Sequence, residues 1–257
     1  MRSGGIFSTN DDMKTELQYS TNVHSERSTP PDAKPVLPAV ASTVVYLEDC
    51  VQALKRFDNN YFDVAIVDPP YGIEDKISLG GGSHTKNRTK FHQLYKEKNK
   101  SWDIRPNKEY WEQLFRVSKN QIVCGANYFT EHLPISRGWV FWHKQGEKMS
   151  SVNDELIWTS FDVSIKMFSR CHGMDKGFLA DHKVFHPTTK PVALYDWLIF
   201  SYCAEANLIL DTHVGSGSSR IAAAKAGKQF IGFEIDPEYY EKQEKRFNDW
   251  NSQLRMF

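Results

Sequence analysis

The stretch at residues 63–72, Asp-Val-Ala-Ile-Val-Asp-Pro-Pro-Tyr-Gly (DVAIVDPPYG), joins an apolar strand to a polar turn. Residues 63–67 (DVAIV) show no alternation of apolar and polar positions, which is typical of a strand buried on both faces and therefore of a parallel sheet covered by helices. The turn at residues 68–71 (DPPY) follows at the carboxyl end of this strand, where open α/β sheets bind their ligands. The stretch therefore predicts an α/β fold with a site at one edge of the sheet.

Strands and helices alternate along most of the chain. Strands are predicted at Thr43–Leu47, 121–124, 139–142, 207–210 and 230–233, and helices after Asp49, at 109–118, 192–205 and 216–226, and from Pro237 onward. This alternation predicts an α/β doubly wound, mostly parallel sheet in a domain that spans residues 41–257. Residues 1–40 are rich in Ser, Thr, Asn, Asp and Pro, a composition that predicts a disordered or loosely packed tail.

The composition excludes several classes of protein. The 257 residues carry 32 Lys and Arg against 32 Asp and Glu, and 40 % of them are apolar, which is enough for a packed core. No run of about 18 apolar residues is present, which excludes a membrane span. The four cysteines are widely spaced without a CxxC pair. That spacing argues against a disulfide scaffold or a zinc ribbon and predicts a reducing, cytoplasmic location.

Basic residues are concentrated in one stretch of this neutral chain. Residues 76–108 contain nine Lys and Arg against two acidic residues, a net charge of +7, so the remainder of the chain carries −7. The stretch includes Gly80–Gly82 and has little apolar periodicity, so residues 74–108 are predicted to form a mobile basic loop. Such a loop is either a solvated surface segment or a flap that contacts phosphates, with an affinity that falls steeply as salt rises.

The DPPY turn offers rigid hydrogen-bond acceptors beside an aromatic ring. Pro69 and Pro70 have fixed φ angles and no N–H donors, so their carbonyl groups can point into a pocket. Asp68 adds a carboxylate, and Tyr71 adds a flat face for stacking. This combination suits an exocyclic amino group on a planar heterocycle. An ordinary proline turn has the same residues, so the turn alone leaves both interpretations open.

A second constellation lies at Asp211–Gly217 (DTHVGSG), between a predicted strand and a predicted helix. Its glycines let a ligand approach the backbone, and the helix N-terminus presents free N–H groups. Glu234 follows about 20 residues later, at the end of the next strand, where a carboxylate can bind ribose hydroxyls. The unit predicts an adenosine-type cofactor, and the absence of a GxxxxGK[ST] sequence argues against a P-loop NTPase.

Four motifs in this order resemble the S-adenosyl-L-methionine (SAM)-dependent amino DNA methyltransferases of the β group, in which the catalytic motif precedes the cofactor motif. They are LEDCVQALKRF (47–57), DVAIVDPPYG (63–72), HPTTKP (186–191) and ILDTHVGSGSSRIAAAKAGKQFIGFEIDPEYY (209–240). The resemblance spans residues 43–250 and implies a sheet of the Rossmann-like methyltransferase type. A catalytic motif that begins with Asp resembles the adenine-N6 enzymes, because cytosine-N4 enzymes usually begin it with Ser.

The resemblance also implies a mechanism. The target adenine would be flipped out of double-stranded DNA, Asp68 and the Pro69 carbonyl would accept hydrogen bonds from its amino group, and Tyr71 would stack on its ring. Pro70 belongs to the same catalytic turn. Catalysis would depend on positioning and electrostatics, without a covalent enzyme intermediate.

For SAM, the resemblance implies contacts from all of the remaining motifs. Asp49 would bind the adenine of SAM, Asp211 its methionine amino group and Glu234 its ribose. The other residues of the predicted cofactor site are Thr188 and Lys190, which would close over the methionine end, and His213, Gly215, Ser216 and Gly217 of the glycine turn.

Some features depart from the family pattern. Thr212 and His213 replace the usual Pro and Phe, and the segment at 165–185 is short for target recognition. The basic loop is therefore expected to share that task, with a homodimer as a further expectation. The predicted DNA contacts are Lys86, Arg88, Lys90, Lys96 and Lys98.

Alternatives to adenine methylation remain at this point. They are cytosine-N4 methylation on the same scaffold and a DNA-binding relative that has lost turnover. Neither Cys171 nor the histidines at 172, 182 and 186 match a common zinc pattern, so no metal is predicted. Glu155, in a strand-like segment, receives no chemical role.

Overall fold

Eight strands form one sheet in the part of the chain that the computed structural model describes, residues 42–72, 104–144, 154–170 and 189–254. The strands are β1 (Thr43–Leu47), β2 (Phe62–Val67), β3 (Ser118–Val123), β4 (Trp139–His143), β5 (Glu155–Thr159), β6 (Lys166–Ser169), β7 (Leu208–Asp211) and β8 (Gln229–Glu234). Their order in the sheet is β1-β8-β7-β2-β3-β5-β4-β6. All of these residues belong to one compact unit, Lys34–Phe257.

Helices connect the strands. They are α1 (Cys50–Leu54), α2 (Lys108–Val117), α3 (Val192–Tyr202), α4 (Ser218–Lys225) and α5 (Pro237–Leu254), with a short 3-10 turn at Ala126–Tyr128. The predicted doubly wound α/β fold is confirmed, and each predicted strand and helix is present with ends shifted by a few residues. Helix α4 begins at Ser218 rather than 216 because Gly217 has a left-handed backbone, with φ of 78°. No helix among these residues is long and apolar enough to cross a membrane.

Some predicted segments fall wholly or mostly outside the described residues. The tail at 1–40 lies wholly outside them. Of the basic loop at 74–108 only residues 104–108 are described, and of the recognition segment at 165–185 only residues 165–170. Arg105, in the basic stretch, donates to the Tyr128 carbonyl and pairs with Glu131. Helix α2 begins at Lys108, so the last residue of the basic loop is helical. Strand β6 takes up the start of the recognition segment.

Strand β2 is buried on both faces, as its unalternating sequence predicts. Val64 and Ile66 join one apolar cluster, which includes residues of α3 and α4. Ala65 and Val67 join the cluster on the opposite face, which includes residues of α1 and α2. Two helical layers therefore cover the two faces of the central strand.

The winding of the chain places a crevice between β2 and β7. Five neighbouring strands, β1-β8-β7-β2-β3, are parallel. From β2 the chain continues through α2 to β3 on one side, and from β7 it continues through α4 to β8 on the other side. The direction of winding therefore reverses between β7 and β2, which is where open α/β sheets bind ligands. Asp68 and Asp211 lie at the carboxyl ends of these two strands.

Candidate active site

Asp68 lies in a buried cluster of charged and hydroxyl groups. Its Oδ1 accepts a hydrogen bond from the Tyr71 hydroxyl at 2.7 Å and pairs with the Lys190 ammonium at 2.6 Å. The same ammonium donates to the Tyr71 oxygen at 2.9 Å and pairs with Glu155 Oε1 at 3.2 Å. Lys144 pairs with the other oxygen of Glu155 at 3.0 Å. The cluster therefore joins the end of β2 to the start of β5 and to the segment before α3.

Burial and opposite charges determine the protonation of this cluster. Burial opposes the charge of Lys190, whose side chain is 5 % exposed, but the carboxylates of Asp68 and Glu155 outweigh that effect and raise its pKa above the usual range. Burial likewise works against ionised Glu155, yet Lys190 and Lys144 hold its pKa below the usual value. Burial raises the pKa of Asp68, and Lys190 opposes that rise.

Tyr71 packs in a tight aromatic pocket. Its ring stacks on Tyr128 with centroids 4.8 Å apart and planes at 17°, and Phe129 contacts it edge-on at 5.9 Å. A Cβ atom on Gly125 would lie 2.2 Å from Cζ of Tyr71, and Gly125 has φ of 61°. Gly125 therefore provides both the space and the left-handed turn that this ring requires. The face on which a base was predicted to stack is occupied by Tyr128 in this structure.

The glycine turn after β7 lies between two buried carboxylates. Asp211 accepts hydrogen bonds from the His213 backbone N–H at 2.9 Å and from the Ser219 hydroxyl, and burial raises its pKa to about 7. Glu234 accepts from the Gly215 N–H at 2.8 Å, and burial raises its pKa as well. Two carboxylates at adjacent strand ends, beside a glycine turn, can bind a nucleoside that carries an amino acid. One carboxylate suits the amino group and the other suits the ribose hydroxyls.

His213 is half-buried beside the turn and uncharged. Its Nδ1 lies 2.9 Å from the Thr212 hydroxyl, which contacts the Tyr110 hydroxyl at 2.8 Å. Its Nε2 lies 3.9 Å from the Cys50 sulfur. Burial lowers the pKa of His213 to about 4, so the ring is uncharged near neutral pH. Thr212 and His213 thus replace the apolar pair of the family pattern with a small hydrogen-bonded chain.

The other predicted site residues occupy varied places. Asp49 is exposed at the N-terminus of α1, where its side chain accepts from the Gln52 N–H. Lys190, predicted at the methionine end of SAM, contacts Asp68. Asp211, Gly215, Ser216, Gly217 and Glu234 come together as predicted, and Pro69 and Pro70 lie in the turn after β2. Thr188 and the five predicted DNA contacts, Lys86, Arg88, Lys90, Lys96 and Lys98, lie outside the described residues.

Sequence reasoning missed Glu155 and Lys144. Glu155 begins an apolar strand (ELIWT) yet is buried, and a charged residue in that position was the available signal. The oxygens of Asp68 and Glu155 and the sulfur of Cys124 lie within 4.8 Å of one another, a spacing that could suit a metal ion. Lys190 pairs with both carboxylates and Lys144 pairs with Glu155, so two positive charges balance the two negative charges.

This site, on a doubly wound sheet, defines a SAM-dependent methyltransferase: one turn can hold an amino group, and the adjacent glycine turn can hold the methyl donor. The chain matches the model of the N6_N4_Mtase family, described as DNA methylase, over residues 84–245. That is more than half of its length, so the chain belongs to this family and acts on DNA with SAM as methyl donor. The β-group resemblance is thereby confirmed.

Individual relatives are distant. The chain is 22 % identical over 254 residues to the type II methyltransferase M.HpaI of Haemophilus parainfluenzae, covering 79 % of this chain and 75 % of the relative. It is 21 % identical over 240 residues to the type II methyltransferase M2.MboI of Moraxella bovis, covering 80 % and 87 %. The fold resembles that of PvuII DNA methyltransferase (cytosine-N4-specific), with a TM-score of 0.54, 14 % identity, and coverage of 81 % and 87 %.

Substitution of Gly125 by alanine is expected to displace Tyr71 and abolish methyl transfer. The backbone strain of a left-handed alanine costs about 1–2 kcal/mol, and the added Cβ also collides with the ring. Gly227→Ala is the matched control, because Gly227 has φ of 66° with nothing within 4 Å of an added Cβ. Thermal unfolding should show that both variants are less stable than the wild type. A methylation assay should show loss of activity in Gly125→Ala alone. Equal activity of the two variants would contradict the assigned role of Gly125.

Proposed function

We propose that the protein transfers a methyl group from SAM to the N6 amino group of adenine in double-stranded DNA, with the base flipped out of the duplex. The observation that carries this proposal is the state of Asp68. Its Oδ1 is engaged by Lys190 and Tyr71, while Oδ2 has no hydrogen-bond partner among the described residues. An oriented carboxylate with one available oxygen, at the switch point of the sheet, suits an amino group that must both be held and lose a proton.

The residues of the turn divide the work. Asp68 Oδ2 and the Pro69 carbonyl accept the two N–H bonds of the amino group, and Pro70 keeps the turn rigid. These contacts orient the nitrogen lone pair toward the methyl group that bound SAM supplies. For the base to stack on the face of Tyr71 that now contacts Tyr128, Tyr128 must first leave that face.

On the cofactor side, we propose that Asp211 holds the methionine amino group and Glu234 the ribose hydroxyls. Gly215, Ser216 and Gly217 line the cofactor. Lys190, His213, Asp49 and Thr188 remain proposed cofactor contacts. The neutral, half-buried ring of His213 fits packing against SAM better than ion pairing.

Cytosine-N4 methylation is the second candidate. Its support is the fold of the cytosine-N4-specific PvuII enzyme. Both bases present an exocyclic amino group on a planar ring, so the contacts of Asp68 and Pro69 suit either. The Asp at the first position of the turn favours adenine, in line with the family resemblance.

We also propose that the basic stretch at 74–108 contacts DNA phosphates and that two chains act together on DNA. Phosphate contacts imply affinity that falls steeply with salt. Light scattering with and without duplex DNA tests the dimer, and a single 29.7 kDa species in both conditions would overturn it.

Expression in a bacterial host without methylation of its own tests the function directly. Sequencing of the genomic DNA by a method that detects modified bases should show N6-methyladenine in one short motif. N4-methylcytosine would support the second candidate instead. Unmodified DNA, in cells where the protein is folded and binds SAM, would mean a silent DNA-binding relative.

Asp68→Ala should abolish methylation and leave SAM binding intact, because Asp68 contacts the amino group rather than the cofactor. Asp63→Ala is the control at the opposite end of β2, where Asp63 pairs with Lys119 at 2.7 Å. Calorimetric SAM titrations and a methylation assay on the same preparations separate the two effects. Full activity in Asp68→Ala would refute the catalytic assignment.

SAM affinity should weaken as pH falls through about 7. The pKa of Asp211 is raised to about 7 by burial, so below that pH the carboxyl group is protonated and loses its attraction for the methionine ammonium. Affinity should approach a tenfold loss per pH unit below the pKa. Asp211→Asn should bind SAM weakly with little pH dependence between about pH 6 and 8. A wild-type affinity that stays constant over this range would contradict the role of Asp211.

A further inference from the structure

Four charged side chains form an alternating chain that begins at the catalytic turn. Asp68, Lys190, Glu155 and Lys144 are joined by distances of 2.6, 3.2 and 3.0 Å. Their side chains are between 5 and 18 % exposed. The four groups come from four separate segments, and their formal charges cancel.

Lys190 has its three N–H donors matched by three acceptors. These acceptors are Asp68 Oδ1, the Tyr71 hydroxyl and Glu155 Oε1. A buried ammonium must be paired and hydrogen-bonded to be tolerated, so Glu155 is one of the groups that hold Lys190 in place. The Tyr71 hydroxyl oxygen also lies 3.2 Å from Glu155 Oε1. Removal of its charge would leave Lys190 with one carboxylate, that of Asp68.

From this arrangement we propose that Glu155 is a positioning residue for methyl transfer. It holds the ammonium of Lys190 between two carboxylates, so that Asp68 is fixed through Oδ1 and remains basic enough to accept a proton at Oδ2. This inference rests on the proposed function, in which Asp68 binds the target amino group. Sequence patterns give Glu155 no such role.

Methyl transfer requires a group that accepts a proton from the target nitrogen. The amino nitrogen forms a bond to the methyl carbon while the carbon–sulfur bond breaks, and the sulfonium becomes a neutral thioether. The methylated nitrogen is then cationic and releases one proton, which Asp68 accepts and passes to water. Burial raises the pKa of Asp68 and Lys190 opposes that rise. With Lys190 shared between two carboxylates, Asp68 is a stronger base than it would be if it alone paired with Lys190.

The tyrosines and the cysteine around Asp68 carry no charge that could replace those of Glu155 and Lys190. Burial raises the pKa values of Tyr71, Tyr110, Cys124 and Tyr195 well above their usual ranges, so these groups are neutral near pH 7. Asp211 is the remaining carboxyl group that acts on Asp68. It is unchanged in the variants considered below, so it affects all of them equally.

The test is the pH dependence of single-turnover methyl transfer from tritiated SAM to duplex DNA that contains the motif found by sequencing. Glu155→Gln removes a negative charge near Asp68, so the acidic limb of the rate profile should move to lower pH. Lys190→Gln removes a positive charge, so its acidic limb should move to higher pH. The plateau rate of Glu155→Gln should fall about 10- to 100-fold, while the Kd for SAM stays within about threefold.

Glu244→Gln is the matched control. Glu244 pairs with Arg220, another buried cation, at 2.7 Å, but it lies in α5 and outside the site. Its profile should equal that of the wild type. If Glu155→Gln does not fold, Glu155→Asp replaces it and should show a smaller shift in the same direction.

The outcomes are distinct. A wild-type enzyme that methylates DNA, with a folded Glu155 variant that keeps the wild-type rate and profile, overturns this inference alone. A uniform loss of rate with an unshifted profile also overturns it, because that result indicates a merely structural role. A wild-type enzyme that binds SAM and transfers no methyl group overturns the proposed function together with the inference.

Discussion

The ion pair between Lys190 and Asp68 is the constraint on which the site depends. A buried charge is tolerated only when it is paired and hydrogen-bonded, and here the two partners are 122 positions apart in the chain. Their contact fixes the segment before α3 against the end of β2. Tyr71 joins the same contact through its hydroxyl, so the aromatic pocket and the charged cluster are held together as one unit.

The sheet supplies the frame for this unit. Because β2 and β7 are adjacent and parallel, the two turns that follow them open into one crevice, with the Asp68 carboxylate in one turn and the Asp211 carboxylate in the other. Both strands are sealed by helices on either face, so the carboxyl ends are where polar groups can meet a ligand. Burial at these strand ends raises the pKa of Asp211 to about 7. The protonation of Asp211 near neutral pH therefore depends on the groups beside it.

The fold and half of the site could be predicted from local sequence. Unalternating strands and glycine turns encode their own structure, and Asp68, Asp211 and Glu234 follow directly from strand ends. Glu155 and Lys144 could not be found this way, because their importance comes from segments that meet only in the folded sheet. Lys190 illustrates the difference: its motif identifies it as a site residue, but only the tertiary structure shows that it contacts Asp68. The position of Glu155 at the start of an apolar strand was a weak signal.

Strand β1 has β8 as its neighbour in the sheet, with Val45 opposite Gly232. The two strands are encoded near opposite ends of the domain, so during synthesis β1 leaves the ribosome long before its partner exists. The turn that holds Asp211 likewise forms only when β7 and β8 are present. A nascent or truncated chain would thus contain the Asp68 turn without its neighbour, and the crevice between β2 and β7 would form only after both strands are synthesised.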